Sequence, residues 1–267
     1  MLTILLGIFA GAAVFTALDQ LSDLHLGWNI FFGILAFVAV QIVTAVILRQ
    51  KMKKINSSLQ EVMAATQKSM ERKQQMFIRQ RNQNQVMLKM QLEAEQKKGI
   101  EEALKVCERM RPLCLWNLTM KKQIATMEMA FHYQIKDWKK VDELLPDCIY
   151  LDPQTISMRL ARMYKTKENG IEKFYKKKTR LLRKDSCVLP AAVFSWILVK
   201  QDRREDALKV LNSALKKTSS EILSRNRDSI VNGKLKMFSN TDLAESWYVL
   251  GLEEPKMQKV QQKVVYR

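Results

Sequence analysis

"VAVQIVTAVILRQKMKKINSSL", residues 38 to 59, changes character at one point. It is apolar through Leu48, and then Arg49, Lys51, Lys53 and Lys54 follow within six positions. Working back from that edge, residues 26 to 48 carry no charge. A helix rises about 1.5 Å per residue, so roughly 20 apolar residues cross the ~30 Å hydrocarbon layer of a bilayer. Residues 2 to 18 form a second uncharged run, near the lower length limit for a span. Between the two runs lie Asp19 and Asp23 and no Lys or Arg. The expectation is a membrane hairpin over residues 1–48 with a very short turn.

The cations set its orientation. Every Lys and Arg lies from Arg49 onward, and cations flanking a span stay on the cytoplasmic side. The long C-terminal part is therefore expected in the cytoplasm and the acidic turn outside. A cleaved signal peptide is the alternative for the first run. Against it, the run has no basic residue before it, and Phe15 would occupy the −3 position of a cut after Ala17. Gly7 and Gly11 form a G-x-x-x-G pattern that suits close helix packing, within the hairpin or in a homodimer. Asn29 beside Trp28 fits an interfacial position, and Gln41 and Thr44 are placed to hydrogen-bond the first helix. With no Asp, Glu, Lys or Arg inside either run, an ion or proton pathway is not expected.

The chain carries 45 Lys and Arg against 27 Asp and Glu, a net charge of +18. Juxtamembrane cations add about 1 kcal/mol each of attraction to an anionic leaflet, and the same field attracts nucleic acid or an acidic protein. Topology and solubility account for single lysines equally well. Cys107, Cys114, Cys148 and Cys187 form no C-x-x-C pair, and His25 and His132 are the only histidines. No zinc spacing follows, and the cysteines read as small apolar core residues. The glycines are too scattered for a phosphate loop, and no Ser/His/acid set is present. The expectation is a protein that is not an enzyme, with no catalytic residues, no cofactor and no metal.

From Lys51 to about Met110 there is no proline and a single glycine. Gln, Lys, Met, Glu and Arg, good helix formers, dominate. Ile55, Leu59, Val62, Met70 and Phe77 give a partial apolar stripe that fails in "RQRNQNQ", residues 79 to 85. Residues 49–97 are expected as a basic, coiled-coil-like helical spacer, about 70 Å long if straight from 51 to 96. Beyond it, helical patterns alternate with short breaks. "TISMRLARMYK" puts Ile156, Leu160, Met163 and Tyr164 on one face, and "LPAAVFSWILVK", 189 to 200, is apolar nearly all round and so buried between neighbours. No segment alternates with period two, so the fold class is all-α.

Ala207, Leu211 and Ala214 in "QDRREDALKVLNSAL" recur two periods of about 33 earlier as Val141, Leu145 and Cys148. Leu160, Ala161 and Tyr164 stand as in a repeat's first helix, Pro153 as its terminal proline, and Asp202 where a turn glycine is usual. On these residues, 98–217 resembles a tetratricopeptide-repeat array. The usual tryptophan is absent, and the middle unit, "NGIEKFYKKKTRLLRKD", lacks the small residue of its second helix. Two N-terminal spans before such repeats, with a "DW…LLP" stretch, also look like the architecture of HemY-type bacterial membrane proteins, which implies an inner or plasma membrane. Residues 218–255 are expected to cap the array, with Thr218 and Glu221 as a capping box and Asn232-Gly233 as a helix stop. "TDLAESWYVLG" is expected to fold back on the last repeat, and 256–267 to be a basic tail.

The resemblance implies a concave groove lined by first helices, with Tyr133, Arg162, Lys165, Trp196 and Lys200 facing it. Cations and aromatics there would take an acidic peptide or acidic C-terminus of a protein partner. For Trp196 the competing expectation is plain core packing. The function expected is a membrane-anchored scaffold for a protein partner. The alternatives are a basic tether for RNA, ribosomes or anionic lipid, and a non-catalytic accessory subunit of a membrane enzyme or assembly complex.

Overall fold

Two apolar helices open the chain: α1 (Leu2–Leu21) and α2 (Leu26–Arg79). The structure, a computed structural model, describes residues 2–21, 26–79, 85–116 and 119–254. Every regular element among them is helical. The acidic turn at Asp23, with His25, and the basic tail lie outside the described residues. Both helices contain a stretch long and apolar enough to cross a membrane. Leu5, Phe9, Phe31, Ile34 and Ile42 point outward, whereas a helix in a water-soluble core would bury such side chains.

The two helices touch backbone to backbone. A Cβ added at Gly11 would lie 2.9 Å from the Gly33 carbonyl oxygen, and one at Gly33 would lie 3.1 Å from that of Gly11. One at Gly7 would meet Gln41 Nε2 at 2.5 Å. Gly7 and Gly11 thus serve packing inside the hairpin, and Gly33 is their counterpart. Gln41 donates to the Thr3 carbonyl at 2.8 Å, as expected. Thr44 instead donates to Val40 of its own helix, since a hydroxyl one turn from a free carbonyl closes that bond locally. Asn29 is buried in the hairpin.

The straight spacer is not present. Helix α2 continues unbroken from the apolar run to Arg79, and α3 (Gln85–Glu108) packs back along it. Residues 80–84, where the apolar stripe fails, separate α2 from α3 in the sequence. Gly99 sits against Thr66, where a Cβ would lie 2.1 Å from Thr66 Oγ1. Glu95 accepts from Ser69 at 2.6 Å and pairs with Lys73. Leu59, Val62 and Met63 of α2 then pack on Ile100, Ala103, Cys107 and Phe131. Nearer the charge boundary, Leu48, Met52 and Ile55 pack on Met110, Leu113, Met120 and Ile124. The stripe that suggested a coiled coil is satisfied within the chain. A 3-10 turn at Arg111–Leu115, then α4 (Met120–Gln134) and α5 (Trp138–Leu144), complete a first unit, Met1–Ile149. Pro146 closes α5 in a second 3-10 turn.

The second unit, Tyr150–Arg267, holds α6 (Pro153–Lys165), α7 (Ile171–Thr179), α8 (Val188–Lys200), α9 (Arg204–Leu215), α10 (Glu221–Val231) and α11 (Glu245–Tyr248). The stretch 98–217 is therefore shared between two units. Helix α8 is buried from Leu189 to Leu198, packed by α6, α9 and α10. Asp152 caps α6 by accepting from the Thr155 amide. The cap of α10 is Ser220, which accepts from the Leu223 amide; Thr218 donates to Asp185 instead. A capping box fails there because Ser220, two residues beyond Thr218, stands directly before the first turn.

One local geometry recurs. Helices α4, α6, α8 and α10 each end in a left-handed residue: Lys136, Lys167, Asp202 and Gly233. Each is closed by the same pair of bonds, such as Asp202 N–H to Val199 and Arg203 N–H to Leu198. This is the Schellman closure of a helix C-terminus, recurring roughly every 30 to 35 residues. After it, α5 and α9 begin two residues on, whereas α7 begins four residues on, behind Gly170 at φ +87°. That longer turn shifts α7, so Phe174 and Tyr175 do the packing instead of a small residue.

Two measurements check the first unit. Gly11→Leu must push apart two touching backbones, and overpacking of this kind costs about 1–3 kcal/mol; the melting temperature of the purified protein in detergent falls, while Gly27→Leu, where nothing lies within 4 Å, leaves it unchanged. The hydrogen bond from Lys73, then that from Ser69, holds the Glu95 carboxyl below its ordinary value. A lowered folded-state pKa gives stability that is present above about pH 4.5 and lost as pH falls through the folded value. The protection of α3 amides, relative to the intrinsic exchange rate at each pH, therefore falls on acidification, and Glu95→Gln removes that change in protection.

Candidate functional site

Of the residues expected to line a partner groove, Tyr133 belongs to the first unit and the other four to the second. Tyr133 is 1% exposed, with its ring edge-on to Trp138 at 5.1 Å, so it is core. Arg162 and Lys165 lie in the last turn of α6, and Trp196 and Lys200 in α8. Trp196 does gather aromatic and basic groups: Tyr164 lies edge-on at 5.7 Å and Lys200 Nζ stands 5.2 Å from its ring centre.

That place is already filled by the chain's own end. Trp247 of α11 is fully buried, 6.0 Å from Trp196. The two indoles donate to one carboxylate, Trp196 to Glu253 Oε1 at 2.7 Å and Trp247 to Oε2 at 3.0 Å. A Cβ on Gly251 would lie 3.0 Å from Lys165 Nζ. Asn240 fastens the segment, donating to the Ala192 carbonyl of α8 at 3.4 Å and accepting from Asn226 of α10 at 2.7 Å. The expected fold-back of "TDLAESWYVLG" occurs. An internal acid, Glu253, occupies the Trp196 face.

The charged surface left open is α7 and the turn after it. From Lys173 to Lys184 the chain has seven cations and no acid. The flanking acids are engaged: Glu172 accepts from Arg203, and Asp185 accepts from Thr218. Among the described residues none of the seven makes an ion pair; Lys178 lies over the Tyr150 ring at 5.6 Å. The aromatic residues of α7 face inward, Phe174 on Tyr150 and Tyr175 stacked on Phe194 at 4.3 Å. Burial pushes the Tyr175 phenol up to about 12. Lys176, Arg180 and Lys217 ring a cavity of about 240 Å³ beside Cys187. Such a set attracts anions and offers no carboxylate to bind a cation.

The cysteines are free. Burial raises Cys107 to about 11 and also raises Cys187, which keeps both protonated and unreactive at neutral pH. Among the described residues no cluster of metal-ligating side chains occurs. Arg49, Lys51, Lys53 and Lys54 are exposed on α2. The basic run of α7 was visible in the sequence as cations without acids, but it was read as a departure from the repeat. Glu253 carried no signal for Trp196, which lies 57 residues earlier in the chain. No protein-family model matches the chain, and no curated protein or solved structure matches it.

Glu253→Ala leaves two indole donors without their acceptor, each worth about 1–3 kcal/mol when buried. The variant is expected to unfold at lower denaturant, with near-ultraviolet circular dichroism of the tryptophans lost first. Glu253→Gln, which keeps one acceptor oxygen and turns the other into a donor, is expected to lose about half as much stability.

Proposed function

We propose that this chain is a scaffold anchored in a membrane by α1 and α2, with its helical pairs in the cytoplasm holding an acidic segment of a protein partner. The observation that carries this reading is the α7 surface, seven cations in twelve positions with neighbouring acids engaged elsewhere. Outward-facing apolar side chains on α1 and α2 support the anchor, and the cations beyond Leu48 support a cytoplasmic C-terminal part. The recurring turns at Lys136, Lys167, Asp202 and Gly233 support the tetratricopeptide-like reading, and such helix pairs serve as binding surfaces. The comparison with HemY-type proteins rests on the same order of spans and helical pairs, and a bacterial inner membrane is the corresponding location. The partner surface is placed on α7 instead of Trp196, because Glu253 and Trp247 fill the latter.

A second reading has its own support. Leu181, 79% exposed among these cations, gives the surface a basic and apolar character that suits an anionic lipid surface. Nucleic acid is less favoured, since the α7 aromatics are turned inward and unable to stack on bases.

The test is a detergent pull-down from native membranes with mass spectrometry, at low and high salt. The wild type is compared with a variant carrying Lys173→Gln, Lys176→Gln, Lys177→Gln and Arg180→Gln. The scaffold reading expects a protein retained at moderate salt by the wild type and lost by the variant. A synthetic peptide of its acidic segment should then bind the purified full chain. Identical protein sets from both versions would sink the reading. Binding instead to anionic vesicles, steeply weakened by salt, would establish the lipid alternative.

A further inference from the structure

The first unit contains a groove of about 650 Å³ that neither the anchor nor the α7 surface uses. It opens at the charge boundary of α2, where the start of α1 and the segment entering α4 meet it. The ties across it are direct: Thr3 donates to the Trp116 carbonyl at 3.3 Å, and Gln41 donates to the Thr3 carbonyl at 2.8 Å. One wall is apolar, made by Ile4, Ala45, Leu48 and Met120. It continues directly into the outward apolar surface of α1 and α2. Arg49, Trp116 and Gln123 also line the groove. Their side-chain donors have no acceptor among the described residues. No carboxylate lines the groove.

We infer that this groove binds one anionic phospholipid, its phosphate received by Arg49, Trp116 and Gln123 and the upper part of one acyl chain lying along Ile4, Ala45 and Leu48. The chemistry is amphiphilic in the right order. Three donor side chains, one of them a cation, suit an acceptor-only anion, and the apolar wall continues toward the hydrocarbon layer. A guanidinium forms two parallel hydrogen bonds with phosphate. An indole N–H at the headgroup level has its ordinary place in a membrane protein. Sites of roughly 300–1,000 Å³ are the usual size for enclosing a small molecule, enough here for a glycerophosphate group and the first carbons of a chain. A soluble acidic peptide would leave the apolar wall in water, and a zwitterionic headgroup would bring a second cation toward Arg49. The occupant also has a structural effect, since it would bridge α1, α2 and the turn before α4.

The inference rests on α1 and α2 lying in a bilayer, and the experiment separates the two ideas. Native membranes are first washed with alkaline carbonate. The full chain is then released into mild detergent and examined by native mass spectrometry with equal phosphatidylglycerol and phosphatidylcholine. One phosphatidylglycerol is expected to stay bound in preference. Arg49→Gln reduces its retention roughly tenfold, the loss of one charge-assisted contact. Lys53→Gln, the same charge change one turn away and outside the groove, leaves retention unchanged. Ala45→Trp fills the groove without altering charge and also abolishes retention, with helix content checked by circular dichroism. Equal retention of the two lipids overturns the inference, as does a Lys53→Gln effect equal to that of Arg49→Gln, or an Ala45→Trp variant that still holds lipid. A protein washed off by carbonate overturns anchor and groove together, whereas one that stays and shows no lipid preference overturns the groove alone.

Discussion

The first unit depends on α2 remaining one helix across the charge boundary. Its apolar half pairs with α1 through glycine contacts that leave no room for a side chain. Its basic half offers Leu48, Met52, Ile55, Leu59, Val62 and Met63 to α3, the turn after it and α4. One rigid rod thus carries two different packings, backbone contact in the apolar half and side-chain burial beyond it. Beyond the boundary, covering the stripe stabilises the unit by removing apolar area from water. Between the apolar runs, the glycines let the two backbones touch.

The consequence is that the module begins at the boundary instead of far from it. Met110, Leu113 and Met120 return to the level of Leu48 and Met52. This brings Trp116 beside Thr3 and creates the groove at Arg49. A feature read as a topological signal, the cations from Arg49 to Lys54, thereby includes one side chain that lines a site and others that do not.

The second unit is built around α8, which has no polar face to leave in water. It is packed by α6, α7, α9 and α10, and by the segment that places Trp247 and Glu253 on Trp196. A tryptophan N–H that is buried requires an acceptor, and one carboxylate serves two. This use of Trp196 leaves the polar outer face of α7 as the open charged surface. The residues that make α7 awkward as a repeat helix, its run of lysines and its delayed start behind Gly170, are the ones that make it distinctive as a surface.

By itself, the sequence determined the local physics. Hydropathy fixed the two apolar helices, the period near 3.6 fixed an all-helical chain, and Asp202, Asn232 and Gly233 marked turns that the structure closes as helix ends. Burial of Ala207, Leu211 and α8 followed from their patterns. Tertiary structure decided what pairs with what. The reversal after Arg79, the seating of Gly99 on Thr66, the partnership of Gly11 with Gly33 and the capture of Trp196 by Glu253 all join residues far apart in the chain. Periodicity reports which face of a helix is apolar, but not which of several apolar faces will cover it, because that choice turns on shape and on where the chain can turn back.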